Sequence, residues 1–176
     1  IVSAHAGVVH YTEGRVYVGN QLIEKKFGVF PDLQVGQELR TEEGRAEVLL
    51  TPGAFLRLSE NSSMRMLSRD LSDTRFEILS GSAMVECDEL AKDTALTVVY
   101  KGDNIQLEKH GLYRLDATES RFRVYDGRAT VESGSEQLAL KRGKETSLNG
   151  VLVAQSFNPN PKLGDDFYAW NGMRSG

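Results

Sequence analysis

The chain has 176 residues, 40% hydrophobic and 26% charged, a composition that supports one domain with a real core and leaves little room for two. Its net charge of −4, with Lys and Arg scattered rather than clustered, excludes the basic footprint that carries nucleic-acid binding. The single cysteine, Cys87, excludes an intramolecular disulfide and any multi-cysteine metal site, and no run of roughly 18 apolar residues is present to span a bilayer.

The chain opens on Ile1 rather than methionine, which predicts a processed or trimmed form. Ala4-His5-Ala6 has the small-x-small pattern of a signal-peptidase site, but no basic or long apolar region precedes it, so no signal peptide is present in this chain. Residues 7–18 read as a strand, a turn at Glu13-Gly14 and a second strand with Val16 and Val18 on one face, the period being two. Pro31-Asp32 marks a turn. Three short strands follow over residues 46–51, 54–59 and 64–67, the first two joined by a tight turn at Pro52-Gly53. In the second of these, Ala54, Leu56 and Leu58 face one way and Phe55 and Arg57 the other. Residues 88–95 allow one helical turn. Strands continue over 96–100, 105–107 and 112–115, with Leu138 and Leu140 on another, and Val151 and Val153 on a last short one.

Two longer phrases repeat. RFEILSGSAMVE (75–86) and RFRVYDGRATVE (121–132) match at Arg, Phe, Gly, Ala, Val and Glu, 46 residues apart. A shorter form, glycine followed by an alternating run of Ala or Val, begins at Gly14, Gly44, Gly81 and Gly127, and each copy announces a hairpin or a corner. About a dozen short, glycine-punctuated strands predict an all-β fold of jelly-roll or sandwich type, and the irregular spacing of the copies argues against a solenoid with one rung per repeat.

The C-terminal segment differs in kind. The sequence divides at 157 into an all-β domain (1–157) and a linker with an aromatic helix (158–176). NPNP at 158–161 cannot continue a strand interior. Asp165-Asp166 can cap a short helix with Phe167, Trp170 and Met173 on a roughly common face. Phe167, Tyr168 and Trp170 are the candidate partner-binding anchors, since aromatics concentrate at interfaces; the competing reading makes them plugs of the core.

No reaction is declared. His5, His10 and His110 stand in no metal-type spacing, and Asp70, Asp73, Glu86, Asp88, Glu89, Asp165 and Asp166 lack the converging D-x-D pattern of a calcium loop. No nucleophile elbow, P-loop or dinucleotide fingerprint is present. No catalytic residue, metal or cofactor is therefore expected. Cys87 shares a strand face with Ala83 and Val85 and reads as a small buried hydrophobe, its neighbours Glu86, Asp88 and Glu89 being the wrong charge for a reactive thiolate. A glycosidase's two carboxylates need be close only in space, which keeps that class open, although one tryptophan is few for sugar stacking.

In their order, ELRTEEGRAEVLLTPGAFLRLSENSSMRML, RFEILSGSAMVE, LTVVYKGDNIQLEKHGLYRLD and RFRVYDGRATV make residues 36–148 resemble the FecR domain, the extracytoplasmic β-domain named after the ferric-citrate signalling regulator. The sequence departs from the family at Gly111-Leu112-Tyr113, which keeps the glycine and the aromatic and loses a hydroxyl. The family's regulators also carry a cytoplasmic anti-sigma segment, a transmembrane helix and a transporter-binding domain that this sequence does not contain, so the anti-sigma role does not carry over. The resemblance implies a non-enzymatic module of the bacterial envelope, periplasmic or extracellular, that senses or signals by binding a protein or glycan partner. Two alternatives stand beside it: a cell-wall or polysaccharide-acting enzyme using paired carboxylates, and a structural spacer in a larger surface protein.

Overall fold

The computed structural model describes residues 6–24, 30–90, 94–160 and 165–175, and these form fifteen strands and one helix. In chain order the strands are β1 (Val8–Val18), β2 (Gln21–Leu22), β3 (Glu38–Thr51), β4 (Ala54–Leu58), β5 (Ser63–Asp70), β6 (Asp73–Ser80), β7 (Ser82–Cys87) and β8 (Ala95–Tyr100). They continue with β9 (Asp103–Leu107), β10 (Gly111–Asp116), β11 (Arg121–Asp126), β12 (Arg128–Ser133), β13 (Glu136–Lys141), β14 (Lys144–Ser147) and β15 (Gln155–Ser156), and the chain closes on α1 (Asp166–Ser175).

One hydrogen-bonded ribbon runs β13-β12-β9-β8-β6-β5-β3-β4-β7-β10-β11-β14-β15, and it is bent about β3. The first residues of β3, Glu38–Arg40, pair with β5, whereas Ala46–Thr51 pair with β4. The bend divides the ribbon into leaf I, from β13 to the start of β3, and leaf II, from the end of β3 to β15; β1 lies along β3 and follows it across. Alternation does the rest. Met64, Phe76, Val98, Ile105 and Val131 from leaf I meet Leu56, Val85, Tyr113, Phe122 and Val124 from leaf II in a single apolar core. Each large side chain buried there contributes roughly 1.5–3 kcal/mol. The architecture is an all-β sandwich with one short C-terminal helix.

The four glycines of the short repeat prove to be corners, not hairpins. Gly14 in β1 and Gly44 in β3 oppose each other where both strands pass between leaves, Gly81 carries β6 of leaf I into β7 of leaf II, and Gly127 returns β11 of leaf II to β12 of leaf I. At each corner the backbone comes too close to a neighbour for a side chain to fit: a Cβ on Gly44 would stand 2.2 Å from the Glu13 carbonyl oxygen, and one on Gly127 2.3 Å from the Tyr113 hydroxyl. The two long copies therefore share a shape but cross in opposite directions.

Four expectations about local structure need correcting. Pro31-Asp32 is not a turn: Asp32 forms a β-bridge with Val8, and the turn falls at Val35-Gly36. The turn at Glu13-Gly14 does not form, because β1 bends there and stays paired with β3 on both sides. Val151 and Val153 form no strand; both side chains are exposed, and the pairing with β14 comes instead from Gln155–Ser156. The helical turn over 88–95 is not seen at Asp88–Leu90, and residues 91–93 lie outside those described. One pair, β6 with β8, is parallel, from Asp73↔Ala95 to Glu77↔Val99; the intervening β7 sits in the other leaf.

Cys87 lies in the core, 3% exposed, beside Ala83 and Val85 on the inward face of β7. Burial, reinforced by the charges of Asp88 and Glu86, pushes its thiol up to about 12. A thiol reagent such as dithionitrobenzoate should label it at least about a thousandfold more slowly in the folded chain than in the urea-unfolded chain. Equal rates would show that β7 does not face the core.

Candidate functional site

The outer face of leaf II is not open to water; α1 lies on it. Positions that alternate outward from the strands supply the floor: Tyr11 on β1, Glu47 on β3, Arg57 on β4, Met84 and Glu86 on β7, and Tyr125 on β11. Glu47 and Arg57 are direct cross-strand partners, and the next strand places Met84 opposite Arg57. Asp165 caps the helix by accepting the Tyr168 amide at 3.1 Å, and the same carboxylate receives Arg114 from β10 at 3.0 Å. Asp166 in the first turn and Arg174 in the last suit the helix dipole.

One half of the contact is apolar. Phe167 and Trp170 stack with ring centroids 6.3 Å apart and pack on Met84 and Tyr125, while the Trp170 indole Nε1 donates to Glu13 at 2.9 Å. Arginine planes cover the remaining ring faces, Arg174 lying 3.7 Å from the centre of Tyr11 and Arg114 5.3 Å from that of Phe167.

The other half is ionic and centred on Arg57, whose side chain is only 2% exposed. Its Nε donates to Glu47 Oε1 at 2.6 Å, and its Nη1 donates to Glu86 Oε1 at 2.7 Å and to the Asn171 side-chain oxygen at 2.6 Å. The second Glu47 oxygen takes His10 Nε2 at 2.6 Å and Arg174 Nη2 at 2.8 Å. Burial alone would raise the Glu47 carboxyl, but the hydrogen bonds from His10, Arg174 and Arg57 outweigh it and hold the group well below the usual carboxylate range. A depressed folded-state value means stability that is present above the unfolded value, near 4.5, and is lost as pH falls through the folded one. Acidification from pH 5 downward should therefore weaken the seating of α1, read as a red shift of Trp170 emission. Glu47→Gln should remove most of that pH dependence.

Beside the N-terminus of α1 a cleft of about 800 Å³ opens between the helix, leaf II and the strand-end segment at Phe157. Its arginines are all engaged: Arg45 with Glu60 at 2.7 Å, Arg114 with Asp116 and Asp165, and Arg123 with Asp116 and Glu145 at 3.2 Å. The cleft thus presents paired charge, not a bare cation for an anionic ligand. Among the described residues no group of three His, Cys, Asp or Glu side chains converges as a metal site.

Of the three aromatics singled out in the sequence, Phe167 and Trp170 are buried against leaf II, and half-buried Tyr168 lies 5.2 Å from the Tyr125 ring. His10 joins the Glu47 group, His110 is exposed, and His5 lies outside the described residues. Sequence reasoning missed Arg57, Glu47, Glu86, Asn171 and Arg174. The outward orientation of Arg57 was visible in the alternation of β4; that a helix over a hundred residues later would cover it was not.

Among the described residues no helix is long and apolar enough to cross a membrane. No family model matches the chain, and no curated protein does. Two crystal structures of a candidate anti-sigma factor from Parabacteroides distasonis ATCC 8503, at 2.50 and 1.65 Å resolution, are similar to it. Both superpose with a TM-score of 0.61, at 16% and 14% identity, covering 76% of this chain and 63% and 64% of theirs, so the chain spans less than two thirds of either neighbour's length. At this identity the likeness is one of fold: the sandwich described above is shared with these two structures.

Proposed function

We propose that the chain is a non-enzymatic sensing and interaction domain of a FecR-type signalling protein, working outside the cytoplasm of a bacterium through contact with another protein. The observation that carries this reading is the sandwich shared with structures described as an anti-sigma factor, over 76% of the chain. The order of the FecR-like phrases within residues 36–148 points the same way. Among the described residues the carboxyls that are displaced, Glu42, Glu47, Glu60 and Asp70, all move down, the wrong direction for a general acid. The described arginines of leaf II's outer face are spent on intramolecular pairs that hold a surface in shape.

Deleting the codons for residues 36–148 from the full-length gene in its own bacterium should change the transcript level of a defined set of genes, and fractionation should find the protein in the envelope. An unchanged transcriptome together with a cytosolic location would overturn the reading. Release of product from purified envelope glycans by the isolated chain would replace it with the enzymatic one.

A further inference from the structure

Leaf II's outer face is shaped for a helix, yet its polar half is unlike a permanent core. In a fixed interior, a set such as Glu47–Arg57–Glu86 contributes little over apolar residues of the same volume, because desolvating three charges cancels most of their attraction. On an uncovered sheet Glu47 still faces Arg57 directly and Glu86, opposite Phe55, still reaches it along the diagonal, so the three are satisfied by one another and by water. They suit both states. The helix is equally conditional: ten residues with Gly172 inside are too few to hold helical form in water, so α1 takes its shape from the surface beneath it. Its contacting residues, Phe167, Trp170, Asn171 and Arg174, fall at i, i+3, i+4 and i+7, the spacing by which a helix is read in a groove. Met173, grouped with Phe167 and Trp170 by sequence spacing, instead lies off that face and is 78% exposed.

The groove also has a direction. Arg114 stands where α1 begins and pairs with Asp165, while Glu47 and Glu86 stand where it ends and take Arg174 and Ser175. A helix entering the other way would set its basic end on Arg114 and its acidic end on two carboxylates.

We propose that the outer face of leaf II is a helix-receiving groove in which α1 is an exchangeable occupant, displaced by a partner protein's helix of the same face and polarity. That helix carries an acid at its N-terminus, aromatics at i and i+3, an amide at i+4 opposite Arg57 and an arginine at i+7 opposite Glu47. This deepens the function proposed above and rests on it only for the existence of a protein partner.

The tether gives α1 an effective concentration on the order of millimolar, so a free helix competes poorly until the resident one is weakened. A fluorophore-labelled peptide of residues 165–175 is titrated into the full 176-residue chain and into its Trp170→Ala variant, with Cys87 protection confirming that the sandwich is intact. The variant should bind the peptide at least about tenfold more tightly than the parent does. A peptide carrying Asn171→Ala and Arg174→Ala should lose that binding. Where Trp170→Ala exposes Cys87, the milder Asn171→Ala chain takes its place and is read in the same way. Absence of binding to the protected variant, or equal binding to parent and variant, overturns the groove, whereas the gene-deletion phenotype is unaffected by either result.

Discussion

Arg57→Ala should bring Trp170 into water while the sandwich stays closed: at neutral pH and without denaturant, tryptophan emission moves to that of exposed indole and Cys87 remains unlabelled. The chain has one tryptophan, in α1, and one cysteine, in β7, so the two signals report the helix and the core separately. Arg57 is the common partner of Glu47, Glu86 and Asn171, and Glu47 is itself only 3% exposed. Removing the cation while the site stays covered leaves Glu86 with only the Ser175 hydroxyl and Glu47 with only His10 and Arg174, a loss of up to about 3–5 kcal/mol. Against this the helix sets two buried aromatics, each contributing roughly 1.5–3 kcal/mol, less the entropy of ordering its residues. Uncovering the site is the cheaper outcome, so the fall in the urea midpoint should correspond to less than the full penalty. Arg57→Lys keeps the charge but not the planar fork that reaches Glu47 and Glu86 together, and should fall between parent and alanine variant. Unchanged emission and midpoint in Arg57→Ala would mean that the ionic centre does not hold α1.

Gly44→Ala should cost at least about 3 kcal/mol, the upper end of what overpacking usually takes. The position has no positive φ, so backbone strain plays no part; the obstacle is the Glu13 carbonyl oxygen 2.2 Å from where Cβ would be, with the Arg15 amide at 2.8 Å. Both neighbours are main chain, and neither can rotate away. Gly102 is the opposite case, with φ +84° and nothing within 4 Å of the added carbon. Gly102→Ala should lose only about 1–2 kcal/mol, from the left-handed conformation alone. Equilibrium urea unfolding of both variants decides the matter, and equal losses would show that the corner can open to admit a methyl group.

Much of leaf structure was legible because it is local. The period-two alternation of Ala54, Leu56 and Leu58 against Phe55 and Arg57 correctly gave the inward face of β4, and the same reasoning placed Cys87 inside. What failed was anything that depended on which strands meet. A glycine before an alternating run looks the same whether the chain doubles back on its neighbour or passes to the opposite leaf, and only the pairing of β6 with β5 and β8, and of β7 with β4 and β10, distinguishes a corner at Gly81. The ionic centre was hidden for the same reason. Glu47, Arg57 and Glu86 come from three strands and Asn171 and Arg174 from the far end of the chain, so no spacing in the sequence brings them together. The capped aromatic helix was visible in outline, because Asp165, Phe167 and Trp170 are neighbours in sequence.

The parallel pairing of β6 with β8 bears on how the molecule assembles. No tight turn can join two strands running the same way, and here the connection is a strand of the opposite leaf, so neither leaf is a self-contained early product of folding. Loop closure over long stretches of chain must precede most of the stabilising contacts, which puts maturation in the millisecond-to-second regime of non-local β topologies and leaves unpaired edges exposed meanwhile.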